Sequence, residues 1–273
     1  MIDMFETMNF PKELVPFKEK FERSIKPTIR IVTEKRQTRL QESKFGGNPY
    51  LPKNFEYPLD SRGLPLILLA QFNFEEMPQI KPFPQIGILQ FYISQKEHLG
   101  VNYKDQIVQK DFKVLYFDEI MDNESDLISD FKFIKYNKEF PIQAECSLKF
   151  SMVNECINTT DELAFNKIFN KEPIDFFEDE ELFEDADDIE KYFNYFASFA
   201  QGHKIGGYPY FIHNDPRYYD NRYESFDTLL LQIDTDESET VRYGMRGGVA
   251  NFLINEQDLA NSDFSRVMYH WRD

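Results

Sequence analysis

A chain of 273 residues is long enough for one large domain or two small ones. Its 31 basic and 48 acidic residues give a formal net charge of −17, which argues against nucleic acid as a partner. Hydrophobic residues make up 41% and aromatic residues 16%, which excludes wholesale disorder.

The sequence shows no segment typical of membrane proteins. The longest apolar stretch, residues 64–70, contains a proline and is far shorter than the roughly 20 residues that span a bilayer. The acidic first residues lack the basic and then apolar build of a signal peptide. We therefore expect a cytoplasmic protein without a membrane partner.

Local patterns predict nine elements. A helix is expected from Pro16, because Phe17, Phe21 and Ile25 recur every four residues along one stripe. A capping box at 159–162 predicts a second helix over 163–169, and a third covers about 187–201. Alternating apolar residues bounded by Pro, Gly and acidic residues predict strands at 28–33, 66–74, 87–94, 145–153, 228–234 and 248–255.

Four short segments recur in the same order. SKFGGNPY at 43–50 matches HKIGGYPY at 203–210 in five of eight positions, 160 residues apart. LLAQ at 68–71 and GILQFYI at 87–93 match LLLQ at 229–232 and GVANFLI at 248–254, both at an offset of 161. KVLY at 113–116 matches RVMY at 266–269. Because one order and a nearly constant offset are hard to obtain by chance, the pattern predicts an internal duplication.

The duplication predicts an α+β fold with two antiparallel β halves. Because side chains alternate across a strand, each repeat should have one apolar face and one amide-bearing face. The apolar faces are expected to hold Leu68, Ala70, Phe72, Leu89, Phe91 and Ile93, with Leu229, Leu231, Ile233, Ala250, Phe252 and Ile254 as counterparts. The amide-bearing faces should hold Gln71, Asn73 and Gln90, with Gln232, Asp234 and Asn251 as counterparts.

No Gly/Ser-rich linker separates the halves, so we expect one domain over 1–273 with a shared core and a pseudo-two-fold relation. Its repeats would cover about 43–118 and 203–271, with peripheral helices. A partly helical acidic segment, residues 119–202, would join them.

Charge is unevenly distributed along the chain. Residues 18–53 contain ten basic and four acidic side chains, whereas eleven of the nineteen residues at 172–190 are acidic and none is basic. The acidic stretch has two interpretations. It is either a solvated loop leading into a helix, or a decoy surface for a basic partner. Mutual repulsion predicts that it is exposed and less ordered than the repeats.

Several of these segments together resemble the YwqG-like family of bacterial proteins. They are KFGGNP at 44–49, PLILLAQ at 65–71, GGYP at 206–209, LLLQID at 229–234 and FSRVMYHW at 264–271. The resemblance implies a duplicated α+β fold and no established activity. Relatives tend to carry a Trp-Gly-Asp-type segment before the last core strand, where this chain has Gly244, Met245 and Arg246. If that segment forms part of a site, the resemblance implies that the site is altered here.

Familiar catalytic and cofactor motifs are absent from the sequence. It contains no phosphate-binding glycine loop, no Gly-x-Ser-x-Gly elbow and no His-Glu-x-x-His or Cys-x-x-Cys motif. Two cysteines are too few for a disulfide scaffold or a structural zinc site. We therefore predict no cofactor and no metal, and assign no catalytic residue.

The paired glycine motifs and the strand amides are the candidate ligand-binding residues. Positive φ angles and tight turns explain two Gly-Gly pairs structurally, whereas exposed backbone amides beside lysines would receive an anion. The amides sit mid-strand, so their partners come either from covering segments or from a ligand. The candidate set is Lys44, Gly46, Gly47, Gln71, Gln90, His203, Lys204, Gly206, Gly207, Gln232 and Asn251.

The sequence favours a non-enzymatic binding or protein-interaction module whose partner is a protein or a small ligand. One alternative is an immunity-like or antitoxin-like protein that sequesters a basic partner through its acidic surface. The other is an enzyme with a cleft site between the repeats that uses His203, Lys44 or Lys204.

Overall fold

Ten strands are present in the computed structural model, which describes residues 10–121, 123–179, 186–236 and 240–273. All six predicted strands are present, and their ends lie within two residues of the predicted positions. The strands are β1 (Lys26–Lys35), β2 (Lys44–Phe45), β3 (Ile67–Asn73), β4 (Ile88–Ile93), β5 (Phe112–Phe117), β6 (Cys146–Glu155), β7 (Lys204–Gly206), β8 (Thr228–Asp234), β9 (Val249–Ile254) and β10 (Met268–Arg272).

The strands form one sheet in the order β10-β9-β8-β7-β1-β6-β2-β3-β4-β5, and every pairing is antiparallel. The long strands β1 and β6 pair at its centre, from Lys26 opposite Glu155 to Lys35 opposite Cys146. On each side a short strand, β2 or β7, joins this pair to a three-stranded meander. The segment 119–202 is therefore more than a connector, because its strand β6 lies in the middle of the sheet.

The two meanders fold towards each other, which makes the sheet nearly closed and barrel-like. The rings of Phe91 on β4 and Phe252 on β9 have centroids 4.9 Å apart. Phe112 on β5 and Tyr269 on β10 are 5.3 Å apart. The largest buried apolar cluster contains residues from both meanders, so the outer strands share one core.

A β-bulge corrects the predicted faces in both meanders. The register shifts between Leu68 and Ala70 in β3, and between Leu229 and Leu231 in β8. Because the extra residue reverses the alternation, Leu68 packs with Tyr92 in a small outer cluster, while Ala70 lies in the main core. Leu229 likewise packs outside the main core. Placing Leu68 and Leu229 on the same faces as Ala70 and Leu231 was wrong.

Six α-helices occur in the described part of the chain, together with short 3₁₀ turns. They are α1 (Lys18–Arg23), α2 (Glu162–Phe169), α3 (Pro173–Asp179), α4 (Ala186–Ser198), α5 (Pro216–Tyr219) and α6 (Glu256–Ala260). With 13 residues, α4 is the longest of them, and none of the described helices could cross a membrane.

Two predicted helix starts are corrected. Pro16 lies inside a 3₁₀ turn, Lys12–Phe17, and α1 begins after it. The N-cap of α2 is Asp161, whose side chain accepts a hydrogen bond from the Ala164 amide at 3.0 Å. Thr159 is not the cap, because its hydroxyl donates instead to the Phe193 carbonyl at 2.8 Å. A tertiary contact therefore overrides the local capping pattern.

A second apolar core joins α1 to the helices of the connecting segment. Phe21 stacks on Phe196 of α4 with ring centroids 4.9 Å apart, and it also contacts Phe169 of α2. Within the acidic stretch, Phe176 and Phe177 of α3 are buried in this core. Residues 180–185, on which part of the acidic-stretch prediction falls, lie outside the described residues.

Replacing Gly207 by alanine should destabilise the protein more than replacing Gly63. Both glycines have positive φ, +68° and +76°, so alanine at either position is destabilised by about 1–2 kcal/mol through its left-handed backbone. A Cβ at 207 would also lie 2.2 Å from Thr28 Oγ1 and 2.6 Å from Glu155 Oε2, whereas nothing lies within 4 Å at 63. The excess loss for Gly207→Ala, measured by urea unfolding, should be about 1–3 kcal/mol. Equal losses would contradict the predicted clash.

Candidate functional site

The predicted candidate residues lie in two separate buried clusters, one beside β2 and β3 and the other beside β7 and β8. In the first, Gln71 Oε1 accepts from the Tyr50 amide at 2.8 Å and from Gln90 Nε2 at 2.7 Å. Gln71 Nε2 donates to the carbonyls of Leu40 and Glu42 at 2.7 and 2.8 Å. Gln90 Nε2 also donates to the Tyr50 carbonyl at 2.6 Å. The hydrogen-bonding capacity of Gln71 is thus filled by the protein itself.

The second cluster repeats this arrangement. Gln232 Oε1 accepts from the Tyr210 amide at 2.7 Å, and its Nε2 donates to the carbonyls of Ala200 and Gly202 at 2.7 and 2.8 Å. Asn251 donates to the Tyr210 carbonyl at 2.9 Å. Its Oδ1 has no partner among the described residues. These amides bind backbone groups, as expected of structural side chains.

Ser43 and His203 occupy corresponding places at the start of each cluster. Ser43 Oγ accepts from the Asn73 amide at 2.9 Å, and His203 Nδ1 accepts from the Asp234 amide at 3.0 Å. Because Nδ1 accepts, this geometry assigns the proton of the neutral ring to Nε2. His203 therefore secures the end of a strand, and its ring packs edge-on against Phe45 at 5.3 Å.

The two motif lysines are inside the protein. Lys44 Nζ donates to the backbone carbonyls of Arg39 and Asn48, the latter at 3.1 Å. Lys204 Nζ forms an ion pair with Glu155 at 2.9 Å. Burial lowers the pKa of each lysine to about 8. Both side chains are fully buried and bound within the fold.

The four motif glycines all have positive φ, between +65° and +73°. A Cβ on Gly46 or Gly47 would meet the side chains of Ile142 or Glu145 within 3 Å. Gly206 and Gly207 also line a cavity of about 300 Å³, which we call the glycine cavity. These two glycines are therefore candidate residues that line a cavity.

A cavity of about 550 Å³ lies between α1 and α2, and we call it the basic cavity. Five cationic side chains line it, while Leu163, Ile168 and Tyr208 supply an apolar wall. The cations are Lys20, Arg23, Lys26, Lys167 and Arg217. Lys26 and Asp227 line both this cavity and the glycine cavity, so the two adjoin.

Most cations of the basic cavity lack an acidic partner. Arg23 pairs with Glu19 one turn earlier in α1. Among the described residues, Lys20, Lys26 and Lys167 have no carboxylate within ion-pair distance. Lys26 Nζ instead lies 4.4 Å from the centre of the Tyr208 ring. Such a cluster of like charges is repulsive unless an anion neutralises it.

The inner wall of the basic cavity is fixed by a buried arginine. Arg217, only 1% exposed, bonds Asp161 at 2.6 Å and Asp215 at 2.7 Å. Asp161 caps α2 and Asp215 caps α5, so the arginine joins the starts of two helices. Breaking a buried network of this kind leaves uncompensated charge and typically costs 3–5 kcal/mol.

Glu162, next to this network, has a pKa near neutrality. Burial, followed by the charges of Asp215 and Glu172, raises the pKa of its carboxyl to about 7. Its Oε2 accepts a hydrogen bond from the Asp215 amide at 3.1 Å. Within the described ranges, no three His, Cys, Asp or Glu side chains form a group that could hold a metal ion.

Sequence reasoning missed the basic cavity and the Arg217 network. The excess of basic residues at 18–53 was a signal, because Lys20, Arg23 and Lys26 belong to it. Nothing in the sequence showed that Lys167 and Tyr208, more than 140 residues later, would face them. Their proximity results from the packing of α1 on α2.

The fold and cavities define an α+β protein with one antiparallel ten-stranded sheet and a cation-lined cavity. Residues 43–272 match the family model described as a domain of unknown function, DUF1963, and the chain belongs to this family. No curated protein matches the chain. Lys20, Arg23 and Lys26 precede the matched region, whereas Lys167 and Tyr208 lie within it.

Replacing Gln71 or Gln232 by leucine should cost about 1–3 kcal/mol of unfolding free energy in each case, because buried backbone groups lose their partners. Chemical denaturation measures this loss. Gln257, which is exposed, provides the control, and Gln257→Leu should leave stability within about 0.5 kcal/mol. Wild-type stability in both buried variants would show that the amides are not structural.

Replacing Glu162 by glutamine should stabilise the protein at pH 8 and have little effect at pH 4. The carboxyl has a pKa of about 7 when folded and 4.5 ordinarily. A raised pKa contributes stability that is present below pH 4.5 and is lost as pH rises through 7. Glutamine does not ionise and can still accept from the Asp215 amide. Melting temperatures of both proteins across this range test the prediction, and a constant difference would contradict it.

Proposed function

We propose that this protein is a non-enzymatic binding protein whose basic cavity holds a small anionic ligand. The observation that carries the proposal is the collection of Lys20, Lys26 and Lys167 around one cavity without acidic partners among the described residues. Keeping these charges together is unfavourable in the free protein, and a bound anion would remove the repulsion.

The proposed ligand carries a phosphate or a comparable multivalent anion. Lysine ammonium groups bind phosphate as point charges, and several of them converge here. The cavity volume of about 550 Å³ falls within the range of small-molecule sites. Leu163 and Tyr208 add an apolar wall against which an organic part of the ligand would pack.

The net charge of −17 does not prevent anion binding at this place. At an ionic strength of 0.1 M, charges are screened beyond about 10 Å, so a ligand inside the cavity responds mainly to the nearest side chains. The lysines line the cavity, and among its described lining residues Asp227 is the one carboxylate.

The enzyme and immunity interpretations have less support. Glu162, the carboxyl with a pKa near neutrality, is not among the residues that line the basic cavity. An enzyme site between the repeats would use His203, Lys44 or Lys204. Each of these side chains is already bonded to another group of the protein. A decoy role for the acidic stretch rests in part on residues 180–185, outside the described chain.

We also infer that the fold arose by internal duplication, as one domain with repeats at about 43–118 and 203–271. Corresponding contacts support this: Gln71 with Tyr50 and Gln232 with Tyr210. The matched bulges in β3 and β8 support it too. Similar stability losses in the two glutamine variants are expected if the positions are equivalent.

Within DUF1963, we propose that the chain is a YwqG-like protein, because it carries the motifs at 44–49, 65–71, 206–209, 229–234 and 264–271. We also propose a cytoplasmic location.

Isothermal titration calorimetry with inorganic phosphate, pyrophosphate and adenosine monophosphate tests the binding proposal. We expect saturable binding of at least one probe with a Kd of about 1 mM or lower. Lys26→Gln and Lys167→Gln should each weaken binding about tenfold, because each removes one positive charge of the protein that attracts the anion. Both side chains are exposed, so the fold should be unaffected.

Lys132→Gln is the matched control, because Lys132 is 90% exposed and does not line the basic cavity. It should bind the probe as the wild type does. An absence of saturable heat with all three probes, or an equal loss in the control and the cavity variants, would refute the proposal.

A further inference from the structure

Another cavity, of about 750 Å³, lies where the loops of the two meanders meet, and we call it the seam cavity. One wall comes from the loop after β4 and another from the loop before β9. The C-terminal strand β10 supplies the third, and the loop before β6, which contains Lys138 and Glu139, supplies a fourth. Its lining includes Lys96, Leu99, Lys138, Arg242, Met245 and Trp271.

The loop after β4 has an unusual backbone at this cavity. His98, Leu99 and Gly100 have φ angles of +61°, +48° and +86°, so three consecutive residues are left-handed. Only glycine adopts this region freely, and other residues do so singly rather than in runs. Strain of this kind persists where the surrounding structure enforces it, and it concentrates at ligand sites and switches.

The C-terminal strand holds the left-handed turn in place. The Trp271 indole Nε1 donates to the His98 carbonyl at 2.7 Å, and the Tyr269 hydroxyl donates to the Leu99 carbonyl at 3.3 Å. Leu99 itself is 8% exposed and packs into the main core. The turn that lines the seam cavity is therefore linked directly to the indole of Trp271.

The lining combines apolar side chains with cations, and it also includes the carboxylate of Glu139. The Trp271 N–H is already bonded, and the side chain, which is 9% exposed, lines the cavity. Arg242 donates to the Met245 carbonyl at 2.6 Å, and neither Arg242 nor Lys138 has a carboxylate partner among the described residues. Met245 is 85% exposed beside them, so apolar area and cations lie side by side.

We propose that the seam cavity binds a small aromatic carboxylate. The ring of the ligand would pack on Trp271 and Leu99, since aromatic pairs gain more than their buried area alone provides. Its carboxylate would face Arg242, whose planar guanidinium matches the two oxygens. This site is independent of the basic cavity, because the two share no lining residue.

The single tryptophan of the chain makes this proposal directly testable. In a ¹⁵N–¹H spectrum of the full protein, one indole N–H peak reports Trp271 and its bond to the turn. Adding sodium phenylacetate should change the chemical shift of this peak until it saturates, with a Kd of about 1 mM or lower. Benzyl alcohol, which has the ring without the charge, and sodium acetate, which has the charge without the ring, should bind at least about tenfold more weakly.

Arg242→Gln should weaken phenylacetate binding at least about fivefold, whereas Arg266→Gln, an exposed arginine outside the seam cavity, should not change it. Backbone peaks in the same spectra verify that each variant is folded. An indole peak whose chemical shift does not change with phenylacetate would overturn the proposal.

Acetate binding as tight as that of phenylacetate would indicate a general anion site, and benzyl alcohol binding as tight would indicate an apolar site. Either result, or equal losses in both arginine variants, also overturns it.

Discussion

Buried side-chain amides anchor the irregular parts of this protein to its sheet. Gln71 and Gln232 lie in the middle of strands, and each binds two separate backbone segments that cross the sheet face. A buried amide without partners is costly, so the crossing segments must follow the one path that satisfies it. The left-handed Gly-Gly turns then direct the chain into that path.

The two Lys-x-Gly-Gly motifs are likewise bound within the fold. Lys44 and Lys204 are held inside by carbonyl and carboxylate oxygens, and their burial lowers the pKa of each ammonium. Such groups are satisfied before a ligand arrives.

Both candidate binding cavities collect cations in a strongly acidic protein. In the basic cavity, lysines from α1, β1 and α2 surround an apolar wall that contains Tyr208. In the seam cavity, Arg242, Lys138 and Trp271 line one space. Local concentrations of positive charge against a negative background favour selection of small anions, because charges farther away are screened.

The sequence alone determined the six predicted strands, the three predicted helical regions and the repeated motifs. These depend on local alternation, on helical spacing and on turn residues, which neighbouring positions reveal. It also showed that the strand amides would need partners. Gln71 and Gln232 have these partners, although the sequence did not show which backbone groups would supply them.

Tertiary structure alone decided the bulges, the true N-cap of α2 and the cavities. Leu68 and Leu229 changed face because one inserted residue reverses an alternation that appears continuous in the sequence. Asp161 became the cap because Thr159 is bound to α4. Lys20 and Lys167 line one cavity, and Leu99 and Arg242 another, through the packing of helices and strands far apart in the chain. A cavity depends on distances in space, and the order of residues along the chain does not specify them.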